Sequence, residues 1–232
     1  MIWQYVGTIG SGKSYHALEK IVEYLGKGKH VIANFPLSFP PYMVRKGYAD
    51  RFLFLPDHLL EDERAISFLL KTSKDMGFNE GEGNCLVVID EAGNYFPPDK
   101  STSPLQKYWN KFFTQSRKLG YDFILVMQDD KQINRTIRAC CEYEIKHRKA
   151  NNIFPFSMLP FTIFMYVTYW KQTRERLSSE SSLFVKKFSS LYDTHKLFGS
   201  LEDSLEFDQA FAVDLHWGNC RPDLSGAKEE TA

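Results

Sequence analysis

The stretch Gly7-Thr8-Ile9-Gly10-Ser11-Gly12-Lys13-Ser14 decides how this chain is read. It satisfies G-x-x-x-x-G-K-[ST] at every fixed position, and its flanks have the required character. Met1 to Val6 is a short apolar run suited to a buried strand. From Lys13 to Leu25, residues Ala17, Leu18, Ile21, Val22 and Leu25 recur at helical spacing, and Gly26 follows in the usual stop position. Strand, glycine loop and helix in that order turn backbone N–H groups toward a phosphate chain. A Cβ at the glycines would obstruct both the turn and the approach of the anion. Gly7, Thr8, Ile9, Gly10, Ser11, Gly12, Lys13, Ser14 and Tyr15 are therefore the expected nucleotide-binding set. Lys13 is assigned to the β- and γ-phosphates and the Ser14 hydroxyl to Mg²⁺, so ATP and Mg²⁺ are the expected cofactors.

The second signal is Cys85-Leu86-Val87-Val88-Ile89-Asp90-Glu91. Uninterrupted apolar residues read as a central parallel strand buried on both faces. Two carboxylates stand at its carboxyl end, where ligands bind in a doubly wound sheet. An acidic pair closing a strand is by itself common solvated surface; downstream of a phosphate loop it reads as a Walker B pair. Asp90 then holds the Mg²⁺ coordination sphere through water, and Glu91 orients and deprotonates the attacking water.

Ser103-Pro104-Leu105-Gln106 opens a helix with a capping box and an early proline. Leu105, Trp109, Phe112, Phe113 and Leu119 form its buried stripe, and Gly120 ends it. Arg117 falls on the flank of that stripe, free to face a neighbouring subunit. Asp122 to Met127 is another buried strand, and Gln128 closes it. In a P-loop sheet this places the Gln128 amide between phosphate loop and Walker B, where it could sense the γ-phosphate; a strand-end amide bonded to backbone is the plainer alternative. A second strand at His30–Phe35, a helix at Leu59–Leu70, a short helix at Lys131–Ala139 and an alternating strand at Glu142–Lys149 complete a core of five strands. Pro36 to Asp57, with four prolines, reads as a loop over the sheet edge.

The chain divides into a core at 1–150, a β-rich appendage at 151–202 and a polar tail at 203–232. The appendage opens with 18 uncharged residues, Ile153 to Trp170. Pro155 and Pro160 would break a membrane helix twice, whereas Phe161 to Trp170 has the β-branched and aromatic composition of a strand. A hairpin pairing it with Leu183 to Phe188 is expected; insertion into or along a membrane is the alternative. Lys+Arg and Asp+Glu are 29 each, which excludes a global field drawing the chain to nucleic acid. The four cysteines have no metal-ligand spacing and read as reduced thiols; no histidine sits at ligand spacing, and no amino-terminal leader is evident.

With these motifs in place, the sequence resembles the zonula occludens toxin-like family, which includes the assembly ATPases of filamentous bacteriophages. The residues that carry this are Gly7 to Ser14, Asn34, Val87-Val88-Ile89-Asp90-Glu91-Ala92, and Arg117-Lys118-Leu119-Gly120-Tyr121-Asp122 leading into Ile124 to Gln128. A looser likeness surrounds Tyr192-Asp193-Thr194-His195. The resemblance implies an α/β fold: a mostly parallel sheet with flanking helices of the additional-strand, RecA-like P-loop class, plus the small appendage. It implies an ATP-hydrolysing motor that drives virion assembly and secretion at the cytoplasmic face of the host inner membrane. It also implies a homo-oligomeric ring, a hexamer in related pumps, in which an arginine completes a neighbour's site; Arg117 is assigned that role, ahead of Arg135 and Arg138. Implied partners are phage assembly and coat proteins, with indirect contact to single-stranded phage DNA. Members commonly carry a membrane span after the ATPase domain. Here the residues after Asp203 hold no apolar stretch near ~20 residues, which leaves a soluble member or the cytoplasmic part of a longer protein. A DNA-translocating or packaging ATPase and a nucleotide-gated membrane scaffold are the competing readings.

Overall fold

The computed structural model describes residues 1–152, 158, 160–192 and 215–219. Its frame is one sheet of eight strands in the order β3-β2-β4-β5-β1-β6-β7-β8. In chain order the strands are β1 (Ile2–Val6), β2 (His30–Ala33), β3 (Phe52–Phe54), β4 (Cys85–Ile89), β5 (Tyr121–Met127), β6 (Tyr143–Lys149), β7 (Ile163–Trp170) and β8 (Glu175–Leu183). The first six run parallel, β7 is antiparallel to β6, and β8 is antiparallel to β7. The helices are α1 (Lys13–Gly26), α2 (Pro41–Arg45), α3 (Asp57–Leu60), α4 (Glu63–Asp75), α5 (Ala92–Tyr95), α6 (Pro104–Gln115), α7 (Arg135–Cys140) and α8 (Lys186–Ser189).

Two buried clusters account for the three layers. Leu18, Ile21 and Leu25 of α1 cover one sheet face against Tyr5, Val31, Val88 and Val126. Trp109, Phe112 and Phe113 of α6, with Leu69 of α4, cover the other against Val87, Phe123 and Leu125. Successive strand residues point to opposite faces, and all residues of β4 and β5 are buried; all are apolar except Asp122 of β5, whose carboxylate accepts from the Met1 ammonium and the Tyr24 hydroxyl. The expected P-loop α/β fold is therefore what forms.

Several elements differ from expectation, each for a physical reason. The proline-rich stretch 36–57 is not all loop: it contains α2 and the edge strand β3. Three residues are too few for alternation to register in the sequence. The helix expected at Leu59–Leu70 is split between α3 and α4, because Asp62 caps α4 by accepting from the Arg64 amide. The helix ending at Gly120 tightens into a 3₁₀ turn at Ser116–Leu119, so α-helical geometry does not extend to Arg117. The segment 131–139 likewise splits into a 3₁₀ turn at Asp130–Gln132 and α7.

The hairpin forms with a different partner. β7 pairs with Glu175–Leu183, from Ile163 opposite Leu183 to Trp170 opposite Glu175. The apolar run expected as the second strand instead leaves the sheet, and α8 forms at Lys186–Ser189. β8 is the sheet's edge and mostly exposed, so it carries Ser and Glu rather than an apolar signature. Residues 153–157 and 159 of the uncharged run lie outside the described residues. Among the described residues, no helix is long and apolar enough to cross a membrane. Cys85, Cys140 and Cys141 are free thiols, as expected; Cys220 lies outside the described residues. Most of the expected tail does too, but Leu215–Asn219 is described, and Asn219 pairs through its amide with the Phe54 backbone at 2.8 and 2.9 Å.

The hairpin is tied to α1 by a buried histidine pair. His147 Nδ1 lies 3.0 Å from the Ile145 carbonyl and 3.3 Å from that of Val6. Carbonyls only accept, so Nδ1 carries the proton and Nε2 accepts from His16 Nδ1 at 2.9 Å. The His16 ring is sandwiched between Tyr5 at 4.7 Å and Tyr166 at 3.9 Å. Burial pushes His16 down to about 2 and His147 down to about 4, so both are neutral. An unfolded chain takes up protons at these histidines near pH 6.5, whereas the native one does not. Their contribution to stability is complete above that pH and declines as pH falls toward 4, by about 2 kcal/mol per histidine at pH 5. The variant His16→Phe keeps a ring in the sandwich. In urea unfolding at pH 7 and pH 5, it is expected to show a loss of stability on acidification smaller than the wild type's by about that amount.

Candidate nucleotide site

The glycine loop is shaped by what lies behind it. A Cβ on Gly7 would stand 2.7 Å from the His147 carbonyl oxygen and 2.6 Å from Ser11 Oγ. A Cβ on Gly12 would stand 2.5 Å from the Phe164 ring, and Gly12 also has φ +94°. β6 and β7 thus press on the loop from beneath, and only glycine fits at both contacts. α1 starts from Gly12, whose carbonyl accepts from the His16 amide at 2.9 Å. Lys13 is buried, and its ammonium bends back across the loop to donate to the carbonyls of Gly7 at 2.8 Å and Thr8 at 3.0 Å. Burial lowers its pKa, opposed by the charges of Glu91 and Asp90.

β4 delivers Asp90 and Glu91 to the same edge. Ser14 Oγ donates to Asp90 Oδ2 at 3.1 Å, and the Glu91 amide donates to Asp90 Oδ1 at 2.9 Å. Burial pushes the Asp90 pKa up, against the pull of the Glu91 amide, the hydroxyls of Ser14 and Tyr192, and the Lys13 charge. Glu91 is exposed and left-handed at φ 48°, a conformation that strains a residue with a Cβ. Burial and the neighbouring Asp90 charge raise its pKa, with Lys13 opposing.

A second rank of residues locks this pair in place. Asn34, just past β2, accepts from the Asp90 amide at 2.7 Å and donates to the Asp90 carbonyl at 3.1 Å. The same Nδ2 donates to Asp57 Oδ1 at 2.8 Å, and the Tyr95 hydroxyl also hydrogen-bonds Asp57. Burial raises the Asp57 pKa against those two bonds. From beyond the hairpin, the Tyr192 hydroxyl donates to Asp90 Oδ2 at 3.3 Å.

The sequence-assigned residues are thus sorted. Lys13, Ser14, Asp90 and Glu91 come together. Gln128 follows β5, which lies between β1 and β4, so it stands between phosphate loop and acidic pair as expected. It is exposed, and its backbone N–H donates to Gln132 Oε1 at 2.9 Å. Arg117 is not brought to this edge: it precedes β5, a seven-residue strand, and so lies roughly 20 Å away at the opposite end. It is exposed and paired with Glu82 at 2.8 Å. Asp57 and Tyr95 carry no expectation in the sequence, and Asn34 and Tyr192 enter it only as points of resemblance. A polar residue closing a buried strand marks Asn34; nothing local marks the other three.

The chemistry fits a Mg²⁺–nucleotide. Hydroxyl and carboxylate are hard oxygen donors of the kind that ion prefers, already within hydrogen-bond distance of each other. Two glycines hold the cradle open where a Cβ would fill it. The buried Ser11 Oγ inside the loop has no hydrogen-bond partner among the described residues.

Comparison with known proteins gives the chain's family and the likeness of its fold. The chain is 28% identical over 222 residues to the Gene 1 protein of Enterobacteria phage fd, covering 85% of this chain and 60% of that protein. It therefore spans about three fifths of the length of that relative. Among solved structures it is similar to the genome packaging NTPase B204 of Sulfolobus turreted icosahedral virus 2 in complex with ATP-gammaS. That match has TM-score 0.51 and 14% identity, covering 78% of this chain and 95% of that one. It is also similar to the ATPase domain of G40P, with TM-score 0.51 and 9% identity over 83% and 84% of the two chains. These two likenesses show the P-loop NTPase fold. Residues 1–179 match the family model described as Zonular occludens toxin (Zot). The chain belongs to the zonular occludens toxin family.

Proposed function

We propose that this chain is the ATPase part of a motor for filamentous-phage assembly, acting at the cytoplasmic face of the host inner membrane. The observation that carries the chemistry is the 3.1 Å contact between Ser14 and Asp90, which joins phosphate loop and acidic strand into one site. The phage context rests on family membership and on the Gene 1 relatives. Because the chain spans only part of those relatives, the cargo and the coat, assembly and DNA partners belong to the proposal, as does the division at residues 150 and 202.

Each residue has a definable task. Backbone amides from Gly7 to Tyr15 hold the phosphates. Lys13, freed from the Gly7 and Thr8 carbonyls, neutralises charge on the β- and γ-phosphates. Ser14 and Asp90 hold Mg²⁺, which supplies charge stabilisation on the transferred phosphoryl. Glu91 accepts the proton of the attacking water, and its raised pKa makes it a stronger base than a free glutamate. Gln128 reports the γ-phosphate between the two motifs. Arg117 is too far from its own site to act there, so it serves the next subunit of a ring.

Steady-state ATPase assays test this. Glu91→Gln is expected to lower kcat by about 10²–10³-fold with nucleotide affinity retained. Wild-type specific activity should rise with protein concentration, and Arg117→Ala should abolish that rise; strict proportionality would remove the trans arginine. In equilibrium binding of a fluorescent ATP analogue, Gly12→Ala combines φ +94° with a clash on Phe164. It should cost more than tenfold in affinity. Gly10→Ala has φ +74° and open space around it, and should cost about fivefold or less.

A further inference from the structure

Oδ2 of Asp90 receives two hydroxyls from opposite ends of the chain, Ser14 at 3.1 Å and Tyr192 at 3.3 Å. The second is not a chance surface contact. After β8, the chain folds back along α1: the Tyr15 hydroxyl donates to the Leu183 carbonyl at 3.0 Å and accepts from the Val185 amide at 3.1 Å. Phe184 and Phe188 pack on the Tyr15 ring. The strap is then fixed at its end. The Leu191 carbonyl accepts from the Ser38 amide at 2.9 Å, and Leu191 is fully buried. Tyr192 is 8% exposed, and its ring lies 4.7 Å from that of Phe35. Phe35 directly follows Asn34, so the ring is seated on the segment that grips the Asp90 backbone. A carboxylate oxygen accepts, so the phenol hydroxyl donates toward it.

We propose that Tyr192 is a positioning residue for the metal–nucleotide site: its hydroxyl holds the Asp90 carboxylate in the rotamer that engages Mg²⁺. The proposal rests on the preceding assignment of Asp90 to the Mg²⁺ sphere. An acidic side chain held by hydrogen bonds loses less freedom on meeting a metal, and removing such an outer partner typically costs 10–100-fold in metal affinity. Asp90 has its backbone fixed by Asn34 and one oxygen fixed by the Glu91 amide. Among the described residues, Tyr192 supplies the side-chain restraint on Oδ2 beyond Ser14, which must also serve the metal. One consequence is linkage: the strap from Leu183 to Tyr192 and the Mg²⁺ site stabilise each other.

The test uses the full chain and Tyr192→Phe, which keeps the ring on Phe35 and removes only the hydroxyl. A fluorescent, non-hydrolysable ATP analogue is titrated without Mg²⁺ and over a Mg²⁺ series, with thermal unfolding recorded in parallel. Affinity without Mg²⁺ should match wild type, and the Mg²⁺ concentration for half-maximal tightening should rise about tenfold. Tyr192→Leu, which also removes the ring, should give at least the same Mg²⁺ shift and a lower melting temperature. If Tyr192→Phe shows the wild-type Mg²⁺ dependence, or loses affinity equally with and without Mg²⁺, the positioning role is overturned. A wild type that binds the analogue with no Mg²⁺ effect overturns the Asp90 assignment instead, which separates the two failures.

Discussion

The close approach of the phosphate loop to β6 and β7 is the constraint on which the rest of the site depends. A loop that must present its amides outward cannot also carry side chains inward, and the two inward contacts fall at Gly7 and Gly12. What they meet is not inert packing. Gly7 rests on the backbone of His147, which is bonded to His16 of the helix that the loop initiates. Gly12 rests on Phe164, whose ring also packs on Tyr15. Loop, helix and hairpin are thereby packed together, and the hairpin is as much the floor of the site as an appendage to it.

Charge is managed by the same economy of space. Three carboxylates, Asp57, Asp90 and Glu91, gather at one sheet edge, and burial disfavours the charge on each. Neutral hydrogen-bond donors offset that for the two deeper ones. Asn34 and Tyr95 serve Asp57, while Ser14, Tyr192 and the Glu91 amide serve Asp90. Glu91 has no such donors among the described residues and is exposed to solvent. That contrast suits a division of labour in which the deeper carboxylate stays a fixed acceptor and the outer one exchanges protons with water.

The edge strands show why patterning succeeds in the middle of a sheet and fails at its rim. β4, and β5 beyond Asp122, are buried on both faces and announce themselves as unbroken apolar runs. β8 has one neighbour and little cover, so its residues are free to be polar, while the apolar run after it is spent on α1 and Phe35 rather than on the sheet. β3 is three residues long, below the length at which alternation means anything.

By itself the sequence determined the strand–loop–helix that builds the phosphate cradle, the acidic strand opposite it, and the place of Gln128 between them. Each of these is a local pattern whose chemistry requires fixed residue types at fixed spacing. Tertiary structure alone decided which strands flank the site, that Arg117 stands at the far end of the sheet, and that Asn34, Asp57, Tyr95 and Tyr192 converge on the acidic pair. Those residues act through hydrogen bonds spanning as many as 102 positions of chain. No local spacing encodes such contacts, because they exist only once the sheet order has brought the two ends of the chain together.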